Sequence, residues 1–109
     1  MDEAVRAYVS RYPEEVQALF LQLRQLILES APVEPQETLW AKLPSYSVGG
    51  SFVRLIPFRD HINIEARAAV QHRQQLTGWK MTPKGMVQIY VHQDVPCEVL
   101  KQIFAETLR

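Results

Sequence analysis

This chain of 109 residues has a single cysteine, no long apolar run and no net charge. One cysteine, Cys97, excludes an internal disulfide and a cysteine-rich zinc site. The most apolar stretch, residues 19–28, contains Gln22, Arg24 and Gln25 and is too polar and too short for a membrane span. The N-terminus lacks the apolar segment of a secretory signal. We therefore expect a soluble, cytoplasmic protein.

The charges cancel over the whole chain. Twelve Lys and Arg residues balance 12 Asp and Glu residues. The sequence therefore gives no overall electrostatic indication of nucleic acid or an anionic membrane, and we expect neither as a partner, although it leaves a local basic patch open. The composition, 47% apolar and 22% charged, is that of an ordinary globular protein. At this length we expect one domain, residues 1–109.

Familiar catalytic and ligand-binding motifs are also missing. There is no phosphate-binding GxxxxGK[ST], no G-x-S-x-G and no dinucleotide fingerprint. The three histidines are scattered without the i, i+4 spacing of a zinc site. Cys97 follows Pro96 near a helix start, where a small buried residue is the simpler interpretation. A small-molecule enzyme of unknown reaction is therefore only the third hypothesis.

Apolar residues at helical spacing predict helices at both ends of the chain. The first firm helix covers residues 13–30, and the sequence SAPVEP ends it because proline disfavours helical geometry in the residue before it. A shorter helix is expected over residues 2–10. The last helix covers residues 96–108 and begins at Pro96, which suits a first turn.

Between the helices the pattern changes to the alternation typical of strands. Strands are predicted in residues 37–43, 51–58, 61–65 and 86–92, with a short helix before Gly78. In the first strand Trp40 and Lys42 alternate with apolar residues. These elements predict an α+β, two-layer sandwich in which the N-terminal helices and the C-terminal helix cover one face of a mainly antiparallel sheet.

A hairpin at Arg59 and Asp60 defines the open face of that sheet. Neither residue is favoured in the turns typical of two-residue hairpins, so a longer loop is the alternative. If the turn holds two residues, it pairs the following residues on one side: Phe58 with His61, Ile56 with Asn63, and Arg54 with Glu65. The opposite side, with Ile62 and Ile64, is purely apolar and should meet the helices.

The open face is the predicted binding surface because it carries several large apolar groups among polar ones, Phe52 included. The candidate binding residues are Trp40, Lys42, Tyr46, Arg54, Ile56, Phe58, His61, Asn63, Glu65, Lys84, Gln88, Tyr90 and His92. We expect a protein partner to cover this face, and a second copy of the chain is the simplest candidate.

Short segments in order along the chain resemble the YdhG-like domains, small bacterial proteins of largely unknown function. The segments that carry the resemblance are residues 31–32, 43–46, 58–62, 82–88 and 96–108. The chain departs from the pattern at Leu43, where methionine is usual, and at Pro57, which suggests an edge position or a bulge. The resemblance implies a fold similar to frataxin, and one branch is described as an intracellular iron chaperone.

That resemblance supplies the alternative function, iron delivery for iron–sulfur or haem assembly. Weak candidate ligands are Asp60, His61 and Glu65, together with the acidic pairs Asp2/Glu3 and Glu14/Glu15. Arg6 and Arg11 interrupt the acidic residues of the first helix, so the ridge of carboxylates that weakly held iron favours is not present. A non-enzymatic binding domain is therefore the preferred hypothesis, with iron as the alternative.

Overall fold

The computed structural model describes residues 1–109 as three α-helices, a 3₁₀ helix and six strands. The helices are α1 (Glu3–Val9), α2 (Glu14–Ser30) and α3 (Cys97–Leu108), and the 3₁₀ helix is Arg67–Leu76. The strands are β1 (Gln36–Trp40), β2 (Leu43–Val48), β3 (Ser51–Pro57), β4 (His61–Ala66), β5 (Lys80–Met81) and β6 (Val87–Tyr90).

All neighbouring strands are antiparallel, in the order β1-β2-β3-β4-β6-β5. The helices pack on one face of this sheet, which confirms the α+β fold predicted from the sequence. Leu23 and Ile27 of α2, Phe104 of α3, and Ile62 and Ile64 of β4 are fully buried. None of the helices combines the length and the hydropathy needed to span a bilayer.

The predicted β3–β4 hairpin is confirmed. Phe58 donates its amide hydrogen to the His61 carbonyl at 2.8 Å, so Arg59 and Asp60 form a two-residue turn. The register is the expected one, because Ile56 lies opposite Asn63 and Arg54 opposite Glu65.

Pro57 is tolerated at the end of β3. The pairing of β2 with β3 reaches only as far as Ser45 opposite Arg54, so Pro57 lies past the part of β3 that β2 covers. Its missing amide hydrogen therefore costs no bond to β2.

The predicted strand 37–43 is wrong in its second half. Ala41 and Lys42 form a turn with positive φ angles of 50° and 68°, so Lys42 leaves the strand and a new strand begins at Leu43. Positive φ at both central residues is the geometry of the hairpin turns that match strand twist.

That turn also corrects the position of Tyr46. With Trp40 opposite Leu43, the alternation along β2 directs Tyr46 toward the helices, where it is fully buried. Its hydroxyl donates to Glu37 Oε2 at 2.7 Å, and burial raises the pKa of the phenol. Tyr46 is therefore a core residue and not part of the open face.

Two further elements differ from the sequence expectation. The segment before Gly78 is a 3₁₀ helix that ends at Leu76, and the last strand is confined to Val87–Tyr90. The two-residue strand β5, at the edge of the sheet beside β6, had no counterpart in the sequence prediction.

His72 links the 3₁₀ helix to α3 and should make stability depend on pH. Its Nε2 lies 2.9 Å from Glu106 Oε1 and its Nδ1 lies 2.6 Å from Gln75 Oε1, so an imidazolium can donate to both. The hydrogen bond with Glu106 and then that with Gln75 raise the pKa of His72 above 6.5.

A raised pKa stabilises the fold below the unfolded value and loses that contribution as the pH rises through the folded value. We therefore expect the stability advantage of the parent over His72→Gln to shrink above about pH 6.5. Urea unfolding of both proteins across this range measures it. A difference that does not change with pH would contradict the assignment.

Candidate functional site: the open face of the sheet

Arg54 is held at the centre of one half of the open face. Its guanidinium carbon lies 3.8 Å from the ring centroid of Trp40 and 3.8 Å from that of Phe52. Its Nη1 donates to Glu65 Oε1 at 3.1 Å. Ser45, which is buried and lies opposite Thr38 and Arg54, is small enough for Trp40 to reach diagonally across β2. The cation is thus fixed by two rings and a carboxylate.

A stack of rings occupies the other half of the open face. Phe58 and His61 are parallel, with centroids 4.6 Å apart, and His61 and Tyr90 are 4.7 Å apart. His92 follows at 5.9 Å from Tyr90 in a tilted arrangement. His61 Nδ1 lies 2.8 Å from Asp60 Oδ1, and this hydrogen bond lowers the pKa of the Asp60 carboxyl. Asp60 thereby orients the imidazole within the stack.

The part of the sheet between these two groups contains buried polar atoms that have no hydrogen-bond partner. Ile56 lies opposite Asn63, and Asn63 lies opposite Gln88. Asn63 is only 8% exposed, and its Oδ1 has no hydrogen-bond partner. The Nε of Arg54 is likewise buried and unpaired. Such atoms are uncommon in folded proteins because leaving them unpaired costs free energy.

Ala41 and Lys42 adopt a strained backbone conformation in the turn beside Trp40. Lys42 has a φ of 68°, a conformation that favours glycine over a residue with a side chain. Lys42 is exposed at the end of the open face, with no ion-pair partner.

Lys84 lies at the other end of the open face. It belongs to the turn between β5 and β6, at the opposite end of the sheet from Trp40. There it borders a cleft of about 280 Å³ whose lining includes Phe52, Glu65 and Arg67.

The weak metal candidates are not grouped as a metal would require. Asp60 and His61 are in contact, but Glu65 is four residues farther along β4, which separates the Cα atoms by about 13 Å. Glu65 is also engaged by Arg54. Of the N-terminal acids, Asp2 accepts the Val5 amide of α1 and Glu3 pairs with Arg6. No group of three or more His, Cys, Asp or Glu residues is placed to hold a metal ion.

Most of the predicted binding residues do share one surface. The following candidates lie on the open face or border it: Trp40, Arg54, Ile56, Phe58, His61, Asn63, Glu65, Gln88, Tyr90 and His92. Arg59 and Lys80 also border this surface and were not among the candidates. The ammonium of Lys80 lies 5.8 Å from the Tyr90 centroid. Only the adjacency of Arg59 to Phe58 was visible in the sequence, because β5 has no periodic signal.

Comparison with known proteins leaves the family open. No family model, curated protein or solved structure matches the chain. The resemblance to YdhG-like domains, and the iron delivery that it implies, therefore stay predictions.

Proposed function

We propose that this protein is a non-enzymatic, cytoplasmic binding domain whose open sheet face is the binding surface. The observation that carries the proposal is that two ordered groups of rings share this face. One is the stack of Trp40 and Phe52 around Arg54, and the other is the stack of Phe58, His61 and Tyr90.

An antiparallel sheet with one face in water usually directs polar side chains outward. Here Trp40 is 55% exposed and Phe58 is 42% exposed. Aromatic residues and arginine are the types that dominate binding energy at interfaces, and rings that are already stacked lose little conformational freedom on binding. The face thus has the composition and the rigidity of a recognition surface.

The paired state of the polar groups favours binding over catalysis. Glu65 is engaged by Arg54, and Asp60 is engaged by His61. These pairs position the rings, because each one holds a member of a stack in place.

A second copy is a less favourable occupant than the sequence suggested. Two open faces that meet about a two-fold axis parallel to the strands would bring like charges close together, because Lys42, Arg59 and Lys80 border each face without an ion-pair partner and outnumber the exposed Asp60. Self-association stays a prediction from the sequence, and repulsion between these charges disfavours it.

Site-specific photo-crosslinking in cells tests the proposal. A photoreactive phenylalanine analogue placed at Phe58 should give a covalent adduct. The same analogue at Leu21, which is 49% exposed on the helical side, is the matched control and should give none. An adduct of twice the protein's mass would identify a second copy as the occupant. The absence of any adduct at Phe58 would contradict the proposal.

A further inference from the structure

We infer that the partner of the open face is a single-stranded nucleic acid. This inference rests on the proposed function and names the class of partner. The charges are distributed unevenly along the chain, although their total is zero. Residues 38–86, which contain most of the sheet, carry seven Lys or Arg and two Asp or Glu, a net charge of +5. The rest of the chain carries five Lys or Arg and ten Asp or Glu.

Of the two acids of the sheet segment, Glu65 pairs with Arg54, whereas Asp60, which is hydrogen-bonded to His61, remains 69% exposed beside Arg59. Lys42, Arg59 and Lys80 are exposed and form no ion pair. The three cations outnumber the one exposed acid at this border, Asp60, so the border of the open face keeps a surplus of positive charge, as a polyanion requires.

These three cations lie in a row across the sheet. Lys42 and Arg59 lie in the β1–β2 and β3–β4 turns at the Trp40 end, because the strands alternate in direction, and Lys80 begins β5 opposite Gln88, two residues before the end of β6. The two turns are two strands apart, which is about 10 Å, and β5 lies between two and three strands from the β3–β4 turn, which is about 12 Å. The row thus crosses the whole width of the sheet.

Each cation has an aromatic neighbour. Trp40 lies two residues before Lys42, and Phe58 lies next to Arg59. Lys80 lies over the ring of Tyr90, 5.8 Å from its centroid. A nucleotide offers a phosphate for the cation and a flat base for the ring, so one aromatic–cation pair matches one nucleotide. An acidic peptide offers only the charge.

Two of these rings keep a free face for stacking. Trp40 stacks on Arg54 and Phe58 stacks on His61, yet both rings remain about half exposed. A flat sheet does not enter the major groove of a duplex, whereas an open sheet with aromatic side chains accommodates unpaired bases.

The strain at Lys42 is consistent with this role. Glycine would suit a φ of 68° better, but glycine would remove the charge from the row. The variant Lys42→Gly should therefore unfold at a higher urea concentration than the parent while it binds the oligonucleotide more weakly.

Fluorescence anisotropy with a labelled oligothymidine of about 15 nucleotides tests the inference. The purified protein should bind it saturably, and more weakly as the salt rises from about 50 mM to about 200 mM. The triple variant Lys42→Gln, Arg59→Gln, Lys80→Gln should lower the affinity at least tenfold. It should also reduce the slope of log K against log salt by about 2, since each single-strand contact contributes about 0.7. The double variant Trp40→Ala, Phe58→Ala should likewise lose at least tenfold.

The matched control removes three cations outside the sheet, Arg11→Gln, Lys101→Gln and Arg109→Gln, and should bind as the parent does. Circular dichroism of each variant establishes that it is folded.

The inference is overturned if the parent does not bind, if the control loses as much affinity as the triple variant, or if the Trp40/Phe58 variant binds like the parent. It is also overturned if poly-L-glutamate at equal charge displaces the oligonucleotide, because charge alone would then suffice. A protein adduct at Phe58 in the crosslinking experiment would refute this inference and leave the proposed function standing.

Discussion

Replacing Leu23 with alanine is expected to lower the free energy of unfolding by roughly 2–5 kcal/mol. Leu23 and Ile27 are fully buried on the side of α2 that meets the sheet, and Leu19 beside them is almost fully buried. Truncation removes apolar contacts and leaves a cavity that rigid neighbours fill only in part. Urea unfolding of parent and variant measures the change.

Leu21→Ala is the matched control for this prediction, because the same atoms are removed from the same helix at a side chain that is 49% exposed. We expect a change of about 0.5 kcal/mol or less. If Leu23→Ala unfolded at the same urea concentration as Leu21→Ala, the helical layer would not pack on the sheet as described.

Replacing Glu37 with alanine is expected to cost about 2–3 kcal/mol, because it leaves the buried Tyr46 hydroxyl and the half-buried Arg24 guanidinium without their shared acceptor. The Glu37 side chain is 10% exposed and accepts hydrogen bonds from Arg24 Nε at 2.6 Å and from the Tyr46 hydroxyl at 2.7 Å. The backbone amide of Asp2 adds a further bond at 2.7 Å. The carboxylate thus joins α2, β1, β2 and the start of α1.

Low pH should weaken the hydrogen bonds and the ion pair that Glu37 forms. Burial alone would raise the pKa of Glu37, but the hydrogen bonds from Arg24, Asp2 and Tyr46 outweigh it and hold the pKa below 4.5. A lowered pKa stabilises the fold above the unfolded value, and this contribution is lost as the pH falls through the folded value. The unfolding free energy of Glu37→Ala should therefore fall less steeply below about pH 4.5 than that of the parent. The exposed Glu34→Ala is the control. A Glu37→Ala protein as stable as Glu34→Ala would show that the network contributes little.

The helices and the central hairpin could be predicted because their determinants are local. The apolar stripe of α2 includes Leu19, Leu23 and Ile27 at helical spacing, and Pro32 follows its end. Arg59 and Asp60 interrupt two alternating runs, so the pairing of Arg54 with Glu65 followed from counting residues.

The β1–β2 hairpin could not be predicted because its turn residues give no signal. Ala41 and Lys42 adopt positive φ without being glycine or asparagine, so only tertiary packing accounts for their conformation. Because this turn was not predicted, the pairing of β2 with β1 could not be deduced. Tyr46 was therefore assigned to the wrong face of the sheet.

The residues of the open face could largely be predicted, but their contacts could not. Alternation along β3 placed Phe52 and Arg54 on one face. The position of Trp40 over Arg54 depends on β1 lying two strands away across Ser45, which is a tertiary arrangement. The same holds for Lys80, whose two-residue strand is held beside β6 by sheet pairing.

Mapping of the binding surface by NMR is the most direct test of the account. We would titrate the ¹⁵N-labelled protein with unlabelled oligothymidine and follow the Trp40 indole N–H and the backbone amides. The account predicts that the largest shifts fall at Trp40, Phe58, His61 and Tyr90, while the amides of α2 and α3 change little. Largest shifts on the helices, or no shift on the open face, would contradict it.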